Sequence, residues 1–68
     1  VAETGSRLRE LRQGQGFTQE QLAVELGVSR QTINAIEAGR FDPSLPLALR
    51  ISALFQAPVE DIFWLARE

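Results

Sequence analysis

The sequence predicts an all-α fold of five short helices. Two observations carry this expectation. Apolar residues recur three and four positions apart in short runs, the spacing that gathers side chains on one helix face. Glycines, prolines and Ser or Thr residues separate the runs, placed where helix ends need them. No stretch alternates β-branched with polar residues, so no strand is expected.

Helix 1 is expected over Glu3 to Gln13, with Leu8 and Leu11 as its apolar pair and Gly14 and Gly16 as its stop. Helix 2 starts at Thr18. The run Thr18-Gln19-Glu20-Gln21 fits a capping box, in which the Thr hydroxyl accepts from the Gln21 amide and the Gln21 side chain reaches back. Phe17 and Leu22 stand at staple positions across that cap, and Gly27 stops the helix. Helix 3 starts at Ser29 as N-cap, flanked by Val28 and Ile33, and Gly39 stops it. Helix 4 runs from Ser44 to about Gln56, with Pro46 in a first turn whose amides lack intrahelical partners anyway. Pro58 opens helix 5, which is expected through Phe63 or beyond, so that helices 4 and 5 together occupy residues 44–66.

A chain of 68 residues makes one domain, 1–68. One this short buries only about 60% of its unfolded surface, which raises the expectation of association. It has no Cys and no His, which removes disulfides, zinc fingers and Cys/His nucleophiles, and no cofactor or metal is expected. Glu60 and Asp61 are adjacent, so on a helix they diverge by about 100° and form no acid/base pair. They suit the first turn of helix 5 instead. An enzyme is therefore not expected. No basic stretch precedes an apolar run at the N-terminus, and "LPLALRISALF" is too short to span a bilayer, so a cytoplasmic protein without membrane contact is expected. The net charge is −2. Residues 1–40 balance five Arg against five Glu, and the acidic excess lies in residues 41–68. All the cations are Arg, a residue suited to bidentate contact with phosphate and guanine.

Helix 3 divides into two faces. On a wheel of about 100° per residue starting at Arg30, Ile33 and Ile36 fall near 300° and 240° and define the buried side. Gln31, Asn34, Ala35 and Ala38 fall on the opposite side, with Arg30 at its edge. Amides and a guanidinium among small residues are the groups that read base edges in a major groove. A plain solvated face is the other reading, but such faces are usually filled with Lys and Glu. Helix 3 has no Lys, and its one acid, Glu37, falls beside the core edge. An unpaired acid there is costly, and Arg12 near the end of helix 1 is its expected partner.

The stretch "TQEQLAVELGVSRQTINAIEAGR" resembles the helix-turn-helix of the phage-repressor-like group, the Cro/cI or XRE family. The shared pattern is Thr18-Gln19, Leu22-Ala23, Gly27-Val28-Ser29, Ile33, Ile36-Glu37 and Gly39-Arg40. The following "FDPSLPLALRISALFQAPVEDIF" resembles the family's fourth and fifth helices, so the likeness spans about residues 6–65. It implies a lambda-repressor-like DNA-binding domain with the helix-turn-helix core at 18–38. Helix 2 would lie across the backbone and helix 3 in the major groove. It also implies base reading by Arg30, Gln31 and Asn34, with Thr32 and Ala35 as groove contacts. Thr18 and Gln19 at the start of helix 2, and Arg40 after helix 3, would hold phosphates. The family pairs a late Arg of helix 1 with the Glu of helix 3, which matches Arg12 and Glu37.

The expected function is a sequence-specific regulator of transcription, a repressor that occupies double-stranded DNA at a palindromic operator. The apolar helix 4 and an outward Trp64 on helix 5 point to a homodimer, with Trp64 and Leu47 or Leu54 near its axis. The alternative is a protein-interaction module of the same fold, an antitoxin or adaptor that meets a toxin or antirepressor.

Overall fold

The computed structural model describes residues 2–66. Their order is β1 (Thr4–Ser6), α1 (Leu8–Gly14), α2 (Gln19–Leu26), α3 (Arg30–Glu37), α4 (Leu45–Phe55), α5 (Val59–Ile62) and β2 (Phe63–Leu65). Each helix sends one side chain to the centre with no exposure at all: Leu8, Leu22, Ile33, Ile51 and Ile62. Ala23, Leu26, Ile36, Leu47, Ala48 and Phe63 close the core around them. Phe17 and Val28, the residues preceding the α2 and α3 caps, pack against its edge.

Among the described residues five helices form, and a two-stranded antiparallel ribbon joins them that the sequence did not suggest. Thr4, Gly5 and Ser6 pair with Leu65, Trp64 and Phe63. The ribbon is continued by hydrogen bonds from the Arg7 amide to the Ile62 carbonyl at 2.9 Å and from the Ala66 amide to the Glu3 carbonyl at 2.8 Å. It shortens both terminal helices: α1 starts at Leu8 rather than Glu3, and α5 ends at Ile62, after which Phe63 is extended. Three-residue strands drawn from opposite ends of the chain are too short to show alternation and owe their pairing to the partner. Trp64 therefore belongs to a strand and not to a helix face. Its ring lies over Gly5, where the Cβ of any larger residue would stand 2.6 Å from the indole nitrogen.

The helix 4 reading also changes in detail. Leu47 is 4% exposed and belongs to the protomer's own core, and Leu54 is partly buried against that core. Leu47 is therefore not free to meet a partner, while Leu54 keeps part of its surface. The outward stripe of α4 is Leu45 and Leu49, 68% and 53% exposed, one turn apart.

Candidate nucleic-acid interface

Local signals fix both helices of the candidate site. The Thr18 hydroxyl accepts from the Gln21 amide at 3.0 Å, and the Gln21 side chain accepts from the Thr18 amide at 2.8 Å, a closed capping box. Gly27 takes a left-handed conformation at φ 72°, and the Val28 amide returns to the Ala23 carbonyl at 3.0 Å. That return ends α2 and turns the chain directly into the next cap. The Ser29 hydroxyl accepts from the Thr32 amide at 3.2 Å and starts α3.

α3 buries Ile33 and Ile36 and leaves Arg30 and Gln31 exposed at its first turn. Asn34 and Ala35 are partly exposed further along. Among the described residues neither Arg30 nor Gln31 makes an intramolecular side-chain hydrogen bond, so both keep their full donor capacity for a ligand. Thr32 is different: its hydroxyl is 3.0 Å from that of Ser29 and takes part in the cap. Arg40 stands exposed just past the helix.

Glu37 is the electrostatic centre of the region. Its side chain has no solvent exposure, and four hydrogen bonds reach its two oxygens. Arg12 Nε lies 2.6 Å from Oε2 and Arg12 Nη2 3.2 Å from Oε1. Arg9 Nε and the Gln19 amide nitrogen lie 3.2 Å and 3.1 Å from Oε1. Burial alone would push this carboxyl up. The hydrogen bonds from Arg12, Gln19 and Arg9, together with the Arg12 charge, outweigh burial and hold it below its ordinary value. Arg12 also donates to the Phe17 carbonyl at 2.9 Å, so one guanidinium ties α1 to α3 and to the start of α2. Arg9 was missed in the sequence, although it lies three positions before Arg12 and so on the same helix face.

Gln19 is held between α2 and α3. Besides Glu37, its amide nitrogen donates to Asn34 Oδ1 at 3.4 Å. Both amide hydrogens therefore point inward, and in this arrangement the side chain has no donor left for a phosphate. The N-terminus of α2 still offers main-chain amides and the positive end of the helix dipole. Asp42 was also missed. Its carboxylate accepts from the Thr4 hydroxyl at 2.7 Å and from the amides of Glu3 and Thr4 at about 3.1 and 3.0 Å. The Thr4 and Glu3 hydrogen bonds hold its carboxyl below the ordinary value. Asp42 thus caps the ribbon edge and is not a free acid in the loop after α3.

A helix-turn-helix family model matches residues 8–62. The chain belongs to the XRE-type helix-turn-helix family of DNA-binding transcriptional regulators. The family is a non-enzymatic class. An uncharacterized HTH-type transcriptional regulator of Bacillus subtilis, YgzD, is 48% identical over 63 residues, covering 93% of this chain and 96% of its own. An uncharacterized HTH-type transcriptional regulator of Methanocaldococcus jannaschii is 53% identical over 58 residues, covering 85% of this chain and 88% of its own. Among solved structures, the restriction-modification controller protein C.AhdI of Aeromonas hydrophila superposes with a TM-score of 0.72 at 33% identity, over 81% of this chain and 83% of that one. Among the described residues no helix is long and apolar enough to cross a membrane.

Proposed function

We propose that this helix-turn-helix protein is a homodimeric repressor that reads a palindromic operator, placing α3 of each protomer in the major groove. The exposed Arg30–Gln31 pair at the start of α3 carries the reading. It sits on a helix whose opposite face is locked into the core, beside the free amides at the α2 N-terminus. Arg30 and Gln31 match guanine and adenine edges respectively, Asn34 and Ala35 stand next along the groove, and Arg40 and the first turn of α2 approach phosphates. Repression follows from occupancy, since a bound dimer excludes polymerase from the same DNA.

One recognition helix supplies too few contacts for a genomic search, and a two-fold dimer doubles them. The partner surface assigned here is the Leu45–Leu49 stripe of α4, two large apolar side chains left in water. Of the residues expected at the axis, Trp64 is 49% exposed and Leu54 partly so, whereas Leu47 is buried.

Selection from random duplex DNA at about physiological salt tests this, because low salt masks specificity with phosphate binding. Enrichment of a palindrome with half-sites about one helical turn apart is the expected result. A protein of intact fold that enriches no sequence contradicts base reading. A monomer in sedimentation at high micromolar concentration contradicts the dimer.

A further inference from the structure

We propose that Glu37, acting through Gln19, fixes the Asn34 amide with its NH2 group outward and so makes Asn34 a reader of guanine rather than adenine. The proposal rests on the major-groove reading above and names the base that one of its residues selects.

The orientation follows from donor and acceptor logic. An ionised carboxylate only accepts, so the Gln19 atom 3.1 Å from Glu37 Oε1 is the amide nitrogen. That nitrogen has a second hydrogen, and the Asn34 atom 3.4 Å from it is therefore the acceptor oxygen. Asn34 is left with its NH2 group turned away from Gln19. Adenine shows the major groove an acceptor at N7 beside a donor at N6, and a bidentate amide must present oxygen and nitrogen together. Guanine shows two acceptors, N7 and O6, which suit the two hydrogens of one NH2 group. Glu37 is in turn pinned by Arg12 at 2.6 Å and Arg9 at 3.2 Å, and its side chain is enclosed. Glu37 and Gln19 are positioning residues here, and Asn34 is the group that touches the base.

The experiment compares duplex selection by the wild type, Asn34→Ala and Gln19→Ala. The base pair whose preference Asn34→Ala abolishes is the one Asn34 reads. At that pair the wild type is expected to enrich guanine over adenine by about tenfold or more. Gln19→Ala frees the Asn34 amide to rotate and is expected to bring the ratio within about twofold of unity, while the preferences set by Arg30 and Gln31 stay. A uniform loss of affinity would move all positions together, so the ratio at one pair separates positioning from a general weakening. Adenine at that pair in the wild type, an unchanged ratio in Gln19→Ala, or no position altered by Asn34→Ala overturns the proposal and leaves base reading by α3 standing. A folded wild type with no sequence preference overturns both.

Discussion

The α2–α3 pair and the terminal ribbon are built by opposite means. Each cap and stop of α2 and α3 is made by residues three to five positions apart, as between Thr18 and Gln21, Ser29 and Thr32, or Val28 and Ala23. The ribbon joins residues 4–6 to 63–65, and its free edge is held by Asp42 from a third place in the chain. The first region specifies itself locally and leaves Arg30 and Gln31 on the outer face of α3 unused by the fold. The second is defined only when the chain has closed, and its surface residues, Trp64 and Leu65, contribute little to the centre. The proposed recognition chemistry thus falls where the backbone is fixed most redundantly.

The contrast can be broken at several strengths. Ile33→Ala removes a fully buried side chain from α3 and is expected to cost about 2–5 kcal/mol. Leu65→Ala in the ribbon, where the leucine is 72% exposed, is expected to change stability by less than about 0.5 kcal/mol. Urea unfolding of the two variants measures both, and equal losses would refute the division.

Glu37→Ala leaves Arg12 nearly buried without its partner, for an expected loss of about 3 kcal/mol. The same group gives a pH dependence of known sign. Its folded pKa is lowered, so its contribution is complete above its ordinary value of 4.5 and is lost as pH falls through the lower folded value. Chemical unfolding between neutral pH and acid is expected to show stability falling below that point, with a smaller slope in Glu37→Ala. Asp42 acts in the same direction on the ribbon side.

Ser29→Ala removes the acceptor that starts α3 and is expected to cost about 1 kcal/mol, read in thermal unfolding. A small effect is also expected of Gly5→Ala. The new Cβ would meet the Trp64 ring within 3 Å, and a half-exposed ring can swing away. A red shift of Trp64 fluorescence with a stability change under about 1 kcal/mol is expected.

What the sequence showed divides along the same line. The helices were legible because their signals are local: the Thr18 and Ser29 caps, the glycines at 27 and 39, and the 3.6-residue apolar period of α3. The wheel that placed Ile33 and Ile36 inward also put Glu37 beside the core edge, and its expected partner Arg12 stands there in the structure. The ribbon was not legible, since Thr4-Gly5-Ser6 has no pattern of its own. Helix continuation through Phe63 was a reasonable extrapolation that pairing with β1 overrode. Leu47 was misplaced for a related reason: helix 4 is apolar on most sides, and periodicity alone does not say which side the core takes. The double engagement of Gln19 depends on the distance between two helices, which sequence does not supply.

The most direct measurement is the affinity of the wild type, Arg30→Ala and Gln31→Ala for the selected duplex and for a scrambled one, at fixed physiological salt. Both side chains are exposed and outside the core, so melting temperatures are expected to stay put. The ratio of specific to non-specific affinity is expected to fall about tenfold or more in each variant. An unchanged ratio in folded protein would contradict the claim that this face of α3 reads DNA.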